Sequence, residues 1–135
     1  MVPHSERLNV RYAAPTDCIV VSEAGRRLVG DRALDLSWDG ARVRGDGRSR
    51  LGERVRLELR VPDSNLWIDA FGVVARVMPG RRDGDVPGVG LRITRMDGMS
   101  RILLASVLRA YPLAAPTRRY GRDYASIVAR VAAGA

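Results

Sequence analysis

The chain has 135 residues and a formal charge of +8, with 23 basic against 15 acidic side chains, and every basic residue is an arginine. That length suits one domain with a core of its own, and a single cysteine excludes an internal disulfide framework. One histidine beside that one cysteine leaves little material for a zinc site or for Ser-His-Asp and Cys-His catalysis, so a protein that does no chemistry is expected.

The opening, Met1-Val2-Pro3-His4-Ser5-Glu6-Arg7, lacks the apolar stretch of a secretory signal. No later run approaches the roughly 18 apolar residues of a membrane span, so a cytoplasmic location is expected. Residues 1–14 are polar and irregular, punctuated by Pro3 and Pro15, and are read as a flexible arm.

From Thr16 to Ile93 the pattern is that of β-structure. Cys18-Ile19-Val20-Val21 is a short apolar run, and Glu23-Ala24-Gly25 is turn material. Arg27-Leu28-Val29 begins a return strand that continues to Leu36, and Gly40-Ala41-Arg42-Val43 restarts extended structure before Gly45-Asp46-Gly47 breaks it. The clearest strand is Arg54 to Val61, where Val55, Leu57, Leu59 and Val61 alternate with Arg54, Arg56, Glu58 and Arg60. A period of two puts one face in a core and the other in water. Pro62-Asp63-Ser64-Asn65 signals a turn, and Leu66 to Val77 is a long strand with Gly72 as a bend or bulge. Pro79 to Gly84 is a loop, and Gly88 to Ile93 is the last strand. Five or six short strands joined by tight turns predict an antiparallel barrel or sandwich.

The tail changes period. Ile102, Leu103, Ala105, Ser106, Val107 and Leu108 predict a helix that covers the sheet, ended by Pro112 and Pro116. Tyr120, Tyr124, Ile127, Val128 and Val131 recur at helical spacing, which predicts a second, amphipathic helix over 120–133. It can pack on its own barrel or on a partner.

Two strings carry the chemistry. Arg7-x-x-x-Arg11 offers two guanidiniums on one side of the chain, roughly 13 Å apart if extended or roughly 6 Å apart in a helical turn. An arginine can lie on a purine face, fork onto guanine O6 and N7, or grip a phosphate. By itself the spacing is uninformative, since Arg44/Arg48, Arg50/Arg54, Arg56/Arg60 and Arg118/Arg122 repeat it. The abundance of arginine, alanine, glycine and valine is also what GC-rich coding yields, so function is sought in particular arginines and not in their total.

The second string is Asp35-x-Ser37-x-x-Gly40. Asp35 can accept hydrogen bonds from guanine N1–H and the exocyclic amine, a fit that adenine cannot reproduce. Ser37 supplies an adjustable hydroxyl, which alternation puts on the same side as Asp35. Gly40 permits positive φ or close backbone approach. The same residues could simply form a strand-ending turn. Asp35-x-Ser37-x-Asp39-Gly40 also matches the front half of a calcium loop, but the twelfth position is Asp46 instead of Glu, and Arg42 stands where an apolar residue belongs. Trp38, inside this string, either packs beneath the loop or stacks on a base. Cys18 is read as a buried thiol, and Trp67 and Phe71 as core or rim residues.

In combination these features resemble the PilZ family of bacterial cyclic di-GMP receptors. Arg7-x-x-x-Arg11 is followed by Tyr12-Ala13-Ala14-Pro15, then by Asp35-Leu36-Ser37-x-x-Gly40 about two dozen residues on. Gly52-Glu53-Arg54-Val55 opens the alternating strand, Val73-Val74-Ala75-Arg76-Val77 looks like the family's late barrel strand, and Gly88-Val89-Gly90-Leu91-Arg92-Ile93 looks like its closing one. The resemblance covers roughly residues 5–110. It implies a six-stranded antiparallel β-barrel with one or two C-terminal helices. It also implies cyclic di-GMP as ligand, bound by Arg7 and Arg11 at guanine faces, edges and phosphates and by Asp35 and Ser37 at a guanine edge, with Gly40 shaping the loop. Glu6 stands where many members carry another basic residue, which bears on whether one ligand or a stacked pair binds.

The expected organisation is an arm over 1–14, a barrel with its helix over 15–110, and a Pro-containing linker with an amphipathic helix over 111–135. The expected function is a cyclic di-GMP receptor without enzymatic activity, cofactor or metal, whose arm orders on the ligand and relays to an effector protein. The alternative is a PilZ-like adaptor that binds no nucleotide. A basic nucleic-acid binder has little support, because the aromatics are few and not interleaved with the arginines along the sequence.

Overall fold

The computed structural model describes residues 10–80 and 87–114. Among them are six strands and one helix: β1 (Thr16–Ser22), β2 (Leu28–Leu36), β3 (Gly40–Arg44), β4 (Arg54–Arg60), β5 (Trp67–Met78), β6 (Gly88–Met96) and α1 (Gly98–Leu108). The strands close into an antiparallel barrel in the order β1-β2-β3-β6-β5-β4, with β4 returning to β1. Closure leaves no edge for another chain to extend. The predicted 120–133 helix, Arg7 and most of the predicted Pro79–Gly84 loop lie outside the described residues.

The alternating strand behaves as its period requires. Val55, Leu57 and Leu59 are buried inside the barrel, while Arg54, Arg56 and Glu58 face outward. Cys18 and Val20 of β1, Val43 of β3, Ile68, Ala70 and Val74 of β5 and Leu91 and Ile93 of β6 complete the interior. Cys18 is buried as expected, and burial, reinforced by Asp31 and Asp17, pushes its thiol up to about 12. Of the two places expected for Trp67 and Phe71, core or rim, the core is excluded. Both residues stand on the outer face of β5, 47% and 38% exposed.

Gly72 does mark a bulge. The β5–β6 register shifts between Phe71 and Gly72, and a Cβ at Gly72 would sit 2.7 Å from the Arg92 carbonyl oxygen. Only a residue without a side chain lets the two backbones approach that closely.

Helix α1 starts four residues earlier than the apolar pattern suggests. Asp97 caps it, its carboxylate accepting from the Ser100 backbone N–H at 3.1 Å and from the Ser100 hydroxyl. The face turned to the barrel carries Leu104 and Leu108, while Ile102 and Met99 are exposed.

The expected arm is not irregular throughout. Tyr12 exchanges two backbone hydrogen bonds with Leu36, Ala13 N–H donates to the Pro112 carbonyl, and Ala14 is fully buried. Tyr12 also bridges to Leu113 on its other side. Residues 12–14 therefore continue the line of β1 along β2 and join the motif strand to the segment that follows α1.

Candidate functional site

The second motif occupies the end of β2, a tight turn and the first residue of β3. The Ser37 N–H donates to the Gly40 carbonyl at 2.9 Å and closes the turn. The Ser37 hydroxyl donates to Asp39 Oδ1 at 2.9 Å, and the Ile93 N–H donates to the Asp39 carbonyl at 2.7 Å, which ties the turn to β6. Gly40 is needed for close approach and not for a left-handed backbone: a Cβ there would meet the Leu91 carbonyl oxygen at 2.9 Å.

The alternation of β2 is interrupted just before the motif. Between Ala33 and Asp35 the β2–β3 register shifts, so Leu34 is an extra residue opposite β3. Past this bulge the parity inverts. Leu36 pairs with Ala41, both buried in the core, and Asp35 pairs with Arg42 on the other face. The Arg42 Nε lies 3.2 Å from both carboxylate oxygens of Asp35. Asp35 and Ser37 are 4% and 2% exposed. The two groups expected to face a guanine edge are thus covered, and each has a partner inside the protein.

Arg42 is the member of this cluster that sequence reasoning did not select. Its register opposite Asp35 depends on the bulge, which no local pattern announces. Its side chain is 28% exposed, and among the described residues only its Nε is used in a hydrogen bond. The two terminal amino groups remain as donors of the kind that fork onto guanine or phosphate oxygens.

The first motif meets the second through its neighbour. The antiparallel Tyr12–Leu36 pair sets the register so that Arg11, half-buried, falls opposite Ser37. The Arg11 carbonyl accepts from the Ala114 N–H at 2.9 Å, so the backbone of this residue is held. Arg11, Asp35, Ser37, Gly40 and Arg42 therefore gather at one end of the barrel.

Trp38 stands at the tip of the turn, 36% exposed. Arg101 of α1 lies over its ring, 5.2 Å from the centroid, and donates from Nη1 to its carbonyl oxygen at 3.1 Å. The turn is gripped by β6 on one side and by α1 on the other. No helix among the described residues is long and apolar enough to cross a membrane.

The fold has solved counterparts. The Bacillus subtilis inhibitor of motility MotI superposes with a TM-score of 0.62 at 23% identity, over 75% of this chain. The chain spans about half of that protein, 49% of its length. The PilZ domain of YcgR from Escherichia coli, solved with c-di-GMP, superposes with a TM-score of 0.57 at 15% identity, over 86% of this chain and 94% of that one. At such identities the likeness is one of fold. Among curated proteins none matches. The PilZ domain family model, in contrast, matches residues 5–110, a stretch that begins before Arg7 and runs past the end of α1. With the closed six-stranded barrel, its C-terminal helix and both strings in order inside that stretch, the chain belongs to the PilZ domain family.

Proposed function

We propose that this protein is a receptor for cyclic di-GMP that relays ligand binding through its leading segment. The observation that carries the reading is the Tyr12–Leu36 pair, with Arg11 in register with Ser37. The solved complex of the YcgR PilZ domain with c-di-GMP supports it, since that fold is shared. In this reading Arg7 and Arg11 grip the phosphates and purine faces of the dianion. Asp35 accepts from a guanine edge, and Arg42 adds a third guanidinium beside it. Because Asp35 and Ser37 are covered, the ligand must displace part of that cover. Residues 12–14 are bonded both to Leu36 and to Pro112, so a shift at the motif reaches the chain beyond α1. The surface changed by that shift is what an effector would read.

Titration calorimetry with cyclic di-GMP, with GTP and cyclic di-AMP as controls, tests this. Saturable heat for cyclic di-GMP alone is expected. Arg11→Ala and Arg7→Ala are each expected to weaken binding about 10- to 100-fold, the worth of about 1.5–3 kcal/mol for charge-assisted hydrogen bonds. Ser37→Ala is expected to cost less, about 1 kcal/mol. Absence of heat, or equal affinity for the three nucleotides, overturns the reading.

One observation favours a second reading, an adaptor that binds no nucleotide. Asp35 is already paired with Arg42, and the Ser37 hydroxyl with Asp39. Under this reading the same titration gives no heat, while the protein still folds.

A further inference from the structure

The wall of the barrel built by β4, β5 and β6 carries a segregated charge pattern. Register makes Arg56, Phe71 and Arg95 one transverse row, and Arg54, Val73 and Arg92 the next. All four arginines are exposed. The Arg56 guanidinium lies 5.9 Å from the Phe71 ring centroid, and among the described residues none of the four side chains has an ion pair. A row with the opposite sign adjoins them, Glu58 opposite Asp69, bordered by the exposed Ile19 of β1. At strand spacing the basic rows cover roughly 10 Å by 7 Å around two apolar side chains.

For stability alone this arrangement is poor. Like charges held close repel, and like charges directly opposite on neighbouring strands are destabilising. Exchanging signs between rows would remove both penalties. A bound counter-surface removes them as well. In sequence the aromatics stand apart from the arginines, but in the fold Phe71 is flanked by arginines on both sides.

We propose that this face docks an acidic amphipathic helix of a partner protein. Its apolar stripe would seat on Phe71 and Val73, its flanking carboxylates would meet Arg54, Arg56, Arg92 and Arg95, and a basic residue one turn away would meet Glu58 and Asp69. A helix suits a closed barrel, which offers side chains and no free strand edge. The chain's own C-terminal residues do not suit this face, since Arg118, Arg119, Arg122 and Arg130 are set against Asp123 alone. A second copy is disfavoured by a charge of +8 on each partner. A nucleic-acid strand or an anionic membrane presents continuous negative charge, which the Glu58–Asp69 row repels; a protein segment can match both signs.

The test uses the full chain and a fluorescein-labelled helical peptide of about 18 residues, five helical turns, with glutamates bracketing a leucine stripe. Fluorescence anisotropy compares it with a scrambled peptide of the same charge, a lysine-for-glutamate counterpart, oligo-dT and phosphatidylglycerol vesicles. The acidic amphipathic peptide is expected to bind best, and added salt to weaken it. Arg56→Glu with Arg95→Glu is expected to weaken it about tenfold or more, Arg56→Gln with Arg95→Gln by less, and Phe71→Ser to abolish its advantage over the scrambled peptide. Arg48→Glu with Arg50→Glu, in the loop after β3, is expected to leave it unchanged. Arg92 is spared because it pairs with Gly40 of the nucleotide-site turn. Circular dichroism and Tm of each variant establish folding, and the milder Gln pair serves if the reversals unfold the chain. Tighter binding of oligo-dT or vesicles, no preference over the scrambled peptide, or peptide affinity indifferent to the Arg56/Arg95 pairs overturns the proposal.

Discussion

Single positions in this barrel are governed by backbone approach more than by side-chain chemistry. Gly40 illustrates it: the residue reads as a turn or ligand-loop glycine, yet what requires it is the carbonyl of Leu91, 2.9 Å from where a Cβ would be. Substitution forces β3 away from β6 where the two pair through Gly40 and Arg92. Gly40→Ala is therefore expected to lower stability by about 1–3 kcal/mol, measured as a lower urea midpoint at unchanged slope. An unchanged midpoint would show that the strands yield without cost. Asp35 makes the complementary point. One extra residue, Leu34, turns its carboxylate away from the core and toward Arg42, so a side chain nominated for a ligand is also half of an ion pair.

At the scale of elements, the loop after β3 is stapled to the start of β2 by one arginine. Arg27 Nε donates to Asp46 at 2.7 Å, its Nη1 to Glu53 at 3.2 Å and its Nη2 to the Ser49 hydroxyl at 3.2 Å. Glu53 in turn accepts from the Ser22 hydroxyl at 2.6 Å. That hydroxyl, opposed by partial burial and then aided by Arg27, holds the Glu53 carboxyl below its usual value. Burial pushes the Asp46 carboxyl up, but the Arg48 backbone N–H and Arg27 outweigh it, and the net direction is also down. Carboxyls depressed on folding contribute stability that is complete above their unfolded values, near 4, and is lost as pH falls through the lower folded ones. Glu53→Gln is expected to lower Tm at pH 7 and to shrink the Tm difference between pH 7 and pH 3. A parallel shift at both pH values, measured by calorimetry, would mean that the glutamate acts by packing and not by charge.

The whole molecule depends on the pairing of β1 with β4, which converts a sheet into a barrel. Leu57 sits at the centre of that closure, cross-strand from Val20 and Ala70, and is 1% exposed. With one core shared by all six strands, loss of packing at that point is felt everywhere. Leu57→Ala is expected to cost about 2–5 kcal/mol and to preserve a single unfolding transition seen alike by far-ultraviolet circular dichroism and tryptophan fluorescence. Separate transitions would mean that the barrel is not one cooperative unit.

The primary structure by itself determined the strands, their approximate limits, the inward residues of β4, the bulge at Gly72, the late helix and membership of a β-barrel family. The strands, the inward face of β4 and the helix follow from spacing along a short stretch of chain, where the period of two or 3.6 is set by local backbone geometry; the interruption at Gly72 follows from its residue type, and family membership from the resemblance of motifs spread over residues 5–110. What it left undecided depends on register between strands far apart in sequence. The Asp35–Arg42 pair needs a bulge between β2 and β3, the Arg11–Ser37 alignment needs the Tyr12–Leu36 bridge, and the Arg56–Phe71–Arg95 row needs three strands aligned at once. A one-residue slip in any of them turns the side chains to the opposite face. Only the closed tertiary structure, by packing one common interior, selects the register and with it what the outside of the barrel presents.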